Sequence, residues 1–305
     1  MGRTFLLGYL LCLSLLIKEG SSWKDVFGSG YLNETTDEPC KNSSSPCLCR
    51  ESRVDCSNKN LDDIPQDLSS GITSLNLNGN VLGNGNFSLQ LTFSKYLNLR
   101  KLSLSNNHLK DLPSNLFQNS TLIHELKLNQ NGLSMFPVEA LEGLTSLKYL
   151  DISSNSLEVI GDSLFVQQPQ LESLNLGRNK IETLHKDAFK NLHQLQILIL
   201  EDNRINSLES SLLQPLTQLS VLNVAKNRIK YIPHGVFQQC PALNQIEFKG
   251  NPIESIDTNA FSNLPNLKKL IISEAKFVTH FVNLTGTTSL EQIRFDRGAI
   301  KEIPV

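Results

Sequence analysis

A nine-residue pattern returns ten times along the chain, with apolar residues at its positions 1, 4 and 6 and, in eight copies, Asn at position 9. The copies run ITSLNLNGN (72–80), LRKLSLSNN (99–107), IHELKLNQN (123–131), LKYLDISSN (147–155), LESLNLGRN (171–179), LQILILEDN (195–203), LSVLNVAKN (219–227), LNQIEFKGN (243–251), LKKLIISEA (267–275) and LEQIRFDRG (290–298). Between Asn107 and Asn251 the period is 24 residues without exception; the step from Asn80 to Asn107 is 27 and the final step is 23. A single unit of that length does not bury its own apolar face, so the units must stack and share one continuous core.

Positions 4 and 6 alternate inward on a short strand, and one strand per coil builds a parallel sheet with neighbours about 4.8 Å apart. The Asn amide both donates and accepts, so Asn80, Asn107, Asn131, Asn155, Asn179, Asn203, Asn227 and Asn251 are placed to bond buried backbone where the chain leaves each strand. Ten positions after each Asn come Phe117, Leu141, Phe165, Phe189, Leu213, Phe237 and Phe261, with Phe93 in register once the three-residue insertion is counted, which predicts a second apolar column. Cys240 stands where other coils carry Leu144, Leu192, Leu216 or Leu264 and reads as a small buried hydrophobe, the alternatives being a reactive thiol or an intermolecular disulfide. The pattern is identified as a leucine-rich repeat. That resemblance implies an α/β fold over residues 67–305, a curved horseshoe solenoid of about ten repeats with the parallel sheet on its concave face.

Arg3 precedes a 14-residue apolar run, Thr4 to Ile17, and Gly20-Ser21-Ser22 supplies small residues for cleavage. The run falls short of the about 20 residues that span a bilayer, so residues 1–22 read as a secretory signal peptide and the remainder as a chain that folds in an oxidising space. Residues 23–39 lack periodicity and read as a flexible leader. Cys40, Cys47, Cys49 and Cys56 then fall within 17 positions, where the secretory context and the lack of C-x2-C pairs favour disulfides over zinc. With Val54-Asp55-Cys56-Ser57 and the stretch from Leu61 to Pro65, residues 40–66 resemble the N-terminal cysteine cap of extracellular leucine-rich-repeat proteins. The usual pairing in that cap implies Cys40 with Cys49 and Cys47 with Cys56.

The net charge of −2, from 28 Lys+Arg and 30 Asp+Glu, gives no electrostatic pull toward nucleic acid or an anionic membrane. His108, His124, His185, His193, His234 and His280 show neither HExxH spacing nor clustering, so no metal site is expected. Gly83-Asn84-Gly85 lies in the inserted segment without a following GK[ST] and reads as a turn. No GxSxG elbow is present either. The expectation is a protein that is not an enzyme, without cofactor or nucleic-acid partner.

Odd positions 3, 5 and 7 face outward on the concave sheet, the surface such solenoids use for binding. Ile197, Ile199 and Val221 fall there as an apolar cluster expected to face solvent; Ala225 adds to it, Glu201 and Lys249 flank it, and Tyr149, Asp151 and Glu247 stand on nearby strands. An apolar patch with a charged rim is the anatomy of an interaction hot spot. Glycosylation sequons at Asn33, Asn42, Asn86, Asn119 and Asn283 all avoid the concave strands, leaving that face bare for a protein ligand.

Asn251-Pro252-Ile253, Ala260-Phe261-Ser262-Asn263-Leu264-Pro265 and Asn283-Leu284-Thr285-Gly286-Thr287 resemble the ectodomains of leucine-rich-repeat G-protein-coupled receptors of the long-ectodomain group, as does the loss of the ladder Asn at Ala275 and Gly298. The resemblance implies a receptor ectodomain whose concave face binds a secreted cysteine-rich protein, with membrane attachment only through a seven-helix domain downstream. The alternative is a secreted or matrix-associated leucine-rich-repeat protein, or a soluble decoy, that does not signal. Because Ile303-Pro304-Val305 follows the last repeat without a second cysteine cap, the chain is expected to be part of a longer receptor.

Overall fold

The structure is a computed structural model that describes residues 40, 45–83, 92–136, 138–273, 275 and 278–296, with Asp296 by its backbone alone. The expected signal peptide and leader, the sequons at Asn33, Asn42 and Asn86, the Asn84-Gly85 turn and the stretch from Ile303 to Val305 lie outside the described residues.

The strands, in chain order, are β1 (Leu48–Arg50), β2 (Arg53–Asp55), β3 (Ser74–Asn76), β4 (Lys101–Ser103), β5 (Glu125–Lys127), β6 (Tyr149–Asp151), β7 (Val159–Ile160) and β8 (Ser173–Asn175). They continue with β9 (Thr183–Leu184), β10 (Ile197–Ile199), β11 (Val221–Asn223), β12 (Tyr231–Ile232), β13 (Gln245–Glu247), β14 (Ser255–Ile256), β15 (Lys269–Ser273) and β16 (Gln292–Asp296). Twelve of them form one sheet in the order β1-β2-β3-β4-β5-β6-β8-β10-β11-β13-β15-β16. Only the β1–β2 hairpin is antiparallel; every later pair is parallel and unslipped, with Leu198 opposite both Leu174 and Leu222. Pairing in step follows from the constant repeat, because a slip of one residue would turn Leu198 and its equivalents out of the core.

Inward residues at positions 1, 4 and 6 are buried along the stack, from Ile72, Leu75 and Leu77 to Leu267, Leu270 and Ile272. The second column is buried too, and its rings stack between adjacent coils: Phe93 on Phe117 at 5.9 Å, Phe165 on Phe189 at 6.4 Å and Phe237 on Phe261 at 5.5 Å between centroids. Cys240 fills its apolar slot at 0% exposure. Its Sγ also donates to the Leu213 carbonyl at 3.5 Å, and burial pushes the thiol pKa up to about 12. Helix is limited, among the described residues, to a 3-10 turn at Val138–Leu141 and one α-helical turn at Ser210–Leu213. Elsewhere the outer side is made of turns and the short parallel pairs β7–β9 and β12–β14.

The Asn ladder is more connected than one bond per residue. Asn203 Nδ2 donates to its own Leu200 carbonyl and to Leu176 of the preceding coil, both at 3.0 Å, while its Oδ1 accepts from Ile181 N–H at 3.0 Å. Asn107, Asn155, Asn179, Asn227 and Asn251 repeat this three-way pattern. Each position-6 carbonyl from Leu77 to Val224 therefore serves two Asn side chains, one from its own coil and one from the next, and the sharing ends at Phe248, where the next coil carries Ala275.

At the N-terminal end Cys40 is bonded to Cys49 and Cys47 to Cys56, the pairing that the cap resemblance implies. Val54 pairs with Leu75 and, at 2% exposure, extends the inward column by one more strand, so the hairpin covers the open end of the first coil.

Candidate functional site

The alternation along each three-residue strand puts positions 3 and 5 on the concave side in two rows. Ile197 lies between Ser173 and Val221 in one row, and Ile199 between Asn175 and Asn223 in the other. These side chains are not solvent-facing as expected: Ile197, Ile199 and Val221 keep only 7%, 6% and 7% of their surface and Ala225 2%. They nevertheless stay apart from the interior cluster on the other side of the sheet. The physical reason is spacing. Strands about 4.8 Å apart force outward side chains of adjacent coils into mutual van der Waals contact, so an aliphatic cluster there roofs itself. Ile271, at 7%, lies three strands further on in the row of Ile199.

Position 5 has a further role. Asn175 Oδ1 accepts from Gly177 N–H at 3.0 Å, Asn223 Oδ1 from Ala225 N–H at 3.0 Å and Asp151 Oδ1 from Ser153 N–H at 2.9 Å. Each side chain thus folds back to satisfy the chain as it leaves the strand, and Ile199 is the residue between two such hooks.

Charged groups flank the aliphatic patch, and one pair of them is bound together. Glu201, half-buried, accepts from Lys226 Nζ at 2.7 Å and from Asn223 Nδ2 at 3.2 Å. That hydrogen bond to Glu201 raises the Lys226 pKa above its ordinary value. Burial raises the carboxyl pKa of Glu247 against the opposing pull of Lys269, and loss of hydration raises that of Asp151 despite its bonds to Ser153. Lys249 is exposed. Tyr149 is partly exposed and its hydroxyl reaches Glu172 at 3.2 Å. Toward the cap, burial opposes the charge of Glu125, but Lys101 at 2.9 Å and Lys127 at 3.2 Å outweigh it and hold the carboxyl pKa below its ordinary value.

The nine residues singled out from the sequence therefore share one face, Tyr149 and Asp151 two strands from the aliphatic patch and the other seven on β10, β11 and β13 or just after them. Of the described sequons, Asn119 is exposed; Asn283 is partly buried, its Nδ2 donating to Asn259 Oδ1 at 2.8 Å. Gln245, on the same row as Val221, was not anticipated: it is 3% exposed and its Nε2 has no hydrogen-bond partner. A polar residue in the position next to Val221 was the only signal in the sequence. Among the described residues there is no group of His, Cys, Asp or Glu arranged to hold a metal ion, and no helix is long and apolar enough to cross a membrane.

The chain is 40% identical over 72 residues to the oligodendrocyte-myelin glycoproteins of Homo sapiens and Mus musculus, a stretch that covers 23% of this chain and 16% of theirs. The fold is similar to the leucine-rich-repeat part of FLRT2 in an octameric complex with Latrophilin 3 and Unc5D, with a TM-score of 0.59 and 24% identity over 75% of this chain and 76% of that one. It is also similar to TLR13 in a complex with single-stranded RNA, with a TM-score of 0.59 and 23% identity over 68% of this chain and 32% of that one. The leucine-rich-repeat family model matches residues 97–157, 145–205 and 217–277, more than half of the sequence, and the chain belongs to the leucine-rich-repeat family.

Proposed function

We propose that the concave face of this solenoid binds a secreted protein, and that the chain is the ligand-binding part of an extracellular receptor. The observation that carries the reading is the self-packed aliphatic patch of Ile197, Ile199 and Val221, with Glu201 at its edge already paired to Lys226 and an exposed Lys249 beyond it. A partner that covers the aliphatic side chains themselves desolvates no charge there, and Lys249 and Lys269 at the margin are left to meet acidic groups on it, the arrangement of an apolar hot spot with a charged rim. The C-terminal sequence motifs support a leucine-rich-repeat G-protein-coupled receptor, for which the ligand is a cysteine-rich secreted protein. No catalytic group is invoked, and the protein acts by binding alone.

The experiment has two arms. An antibody to the repeats is used on fractionated cells and medium, where a large membrane-bound band supports the receptor and a single glycosylated band in the medium overturns it in favour of a secreted binder. The Fc-fused chain is then passed over immobilised secreted cystine-knot proteins. Binding that falls at least tenfold with Tyr149→Ala or Ile199→Asn supports the concave site, and binding unaffected by both overturns it.

A further inference from the structure

The outer side of the solenoid is not uniform. β9 pairs only with β7 and β12 only with β14, so the outer pairing is interrupted at the coil between them, where Ser207 and Leu208 join neither sheet and the helical turn Ser210–Leu213 follows. The interruption opens a groove of about 460 Å³ lined by Asn206, Ser207, Glu209, Lys230 and Tyr231, among others. Tyr231 is 48% exposed and supplies an aromatic wall. Asn206, Ser207 and Glu209 are exposed and offer amide, hydroxyl and carboxylate groups.

Two residues ahead of the groove's Asn206 and Lys230 stand Arg204 and Arg228, which belong to a row of cations. Lys180, Arg204 and Arg228 occupy the position just after the ladder Asn in three successive coils, and their N–H groups donate to Leu157, Ile181 and Ile205 carbonyls of the preceding coils at 2.9, 2.9 and 2.8 Å. Those bonds hold the three residues in one line, about 4.8 Å from coil to coil. Arg178 and Lys226 stand two residues before Lys180 and Arg228, and Lys230 two residues after Arg228. A single oxygen, Glu182 Oε1, lies 3.3 Å from Arg204 Nη1 and 3.7 Å from Arg228 Nη1, so two guanidiniums converge on one anionic atom with most of their donors unused. Lys230 pairs with Glu254 at the margin, while Arg178 and Lys180 form no ion pair among the described residues.

The geometry points to a linear sulfated polysaccharide as the occupant: its sulfates on Arg204, Arg228 and Lys230, and one sugar ring against Tyr231 with its hydroxyls on Asn206 and Glu209. Guanidinium forks match sulfate oxygens bidentately as they do carboxylate or phosphate. The C–H face of a sugar suits an exposed aromatic ring whose polar end stays wet. Glu209 can accept from sugar hydroxyls, and each bound sulfate takes the place of a carboxylate, since Glu182 already pairs with Arg204 and Arg228 and Glu254 with Lys230. None of the residues that line the groove belongs to a strand of the concave sheet, so the site stands independently of the concave patch.

The test uses heparin and the full chain, with binding followed by surface plasmon resonance at several salt concentrations. Arg204→Gln/Arg228→Gln/Lys230→Gln is expected to weaken binding at least tenfold and to flatten its salt dependence, and Tyr231→Ala to weaken it at least threefold with the salt dependence unchanged. Lys59→Gln/Lys110→Gln/Lys190→Gln, which removes the same charge elsewhere, and Ile199→Asn should leave binding intact, and desulfated heparin should not bind. Circular dichroism confirms that each variant is folded, as all the substituted cations are on the surface. Equal losses in the two triple variants, or wild-type affinity in Tyr231→Ala, would overturn the proposal, as would single-stranded RNA displacing heparin at equal charge concentration.

Discussion

Replacing Asn203 by Ala removes two close donated hydrogen bonds, a longer third to the Glu201 carbonyl at 3.4 Å, and one accepted bond, and these losses are unequal. The Leu176 carbonyl keeps Asn179 at 3.0 Å and the Leu200 carbonyl keeps Asn227 at 2.8 Å, whereas Ile181 N–H loses its one partner. An orphaned buried N–H costs about 1–3 kcal/mol and each lost bond about 0.5–1.5, so Asn203→Ala should destabilise by about 2–6 kcal/mol in total. Asn227→Ala is equivalent, with Ile205 N–H as its orphan. In the double variant the Leu200 carbonyl loses both donors at once, a penalty absent from either single change. The double-mutant cycle should therefore show a coupling of about 1–3 kcal/mol beyond additivity.

Asn155 and Asn227 form the control pair. Asn155 shares the Leu128 carbonyl with the coil before and Ile152 with the coil after, neither of which Asn227 touches, so that pair should add to within about 0.5 kcal/mol. Urea unfolding followed by far-ultraviolet circular dichroism reads both cycles, in sucrose to keep the weakest variant folded. Hydrogen exchange should show Ile181 deprotected by Asn203→Ala and Ile205 by Asn227→Ala. An additive Asn203/Asn227 cycle, or equal coupling in the control pair, would refute the shared-carbonyl ladder.

Other consequences are simpler. Ile199→Asn places between Asn175 and Asn223 the same hook they carry and should leave secretion and melting temperature intact, whereas Ile199→Lys must force a charge into a site only 6% exposed and should lower the melting temperature measurably. For Asp151 the folded-state pKa is raised, so the charged form is disfavoured by folding and the cost is present above that pKa and absent below the unfolded value of about 3.9. Asp151→Asn keeps an acceptor for Ser153 and should stabilise the protein at pH 7 with a gain that vanishes near pH 3, as urea midpoints across pH will show. Cys240, at 0% exposure with its pKa pushed up to about 12, should not react with a thiol reagent at pH 8 until urea unfolds the chain; rapid labelling of the native protein would show an accessible thiolate.

The register, the buried columns and the Asn ladder were legible because one mechanism, stacking of identical coils, acts on the same positions every 24 residues. Features that depend on backbone conformation or on neighbours across the sheet were not. Position 8 is left-handed in the eight coils where it is described, at Gly79, Asn106, Gln130, Ser154, Arg178, Asp202, Lys226 and Gly250, with φ between 53° and 74°. Only two of these are glycine, so composition hides the turn. At about 1–2 kcal/mol per non-glycine residue, the conformation is held by the Asn bonds that it makes possible. The concave face was legible as a set of residues, since alternation decides which side each occupies. Its exposure was not, because whether Ile199 is open or covered depends on the Asn residues beside it in two other coils.

The interrupted outer side follows from the buried column beneath it. Among the described residues the helical turns are Val138–Leu141 and Ser210–Leu213, and each ends on a column position held by Leu, Leu141 or Leu213, where most neighbouring coils carry Phe. A Leu fills less of the space between flanking rings than a Phe does, and the outer segment can wind inward into one turn of helix to restore close packing. Leu213→Phe should expel that turn. If the turn unwinds, the added ring stacks between Phe189 and Phe237 and the Gln214 N–H bond to Ser210, 3.1 Å in the parent, is lost, so that amide should exchange faster while stability changes little. If the turn instead holds, overpacking should cost about 1–3 kcal/mol with Gln214 still protected, and the size of the column residue would not be what shapes the outer face.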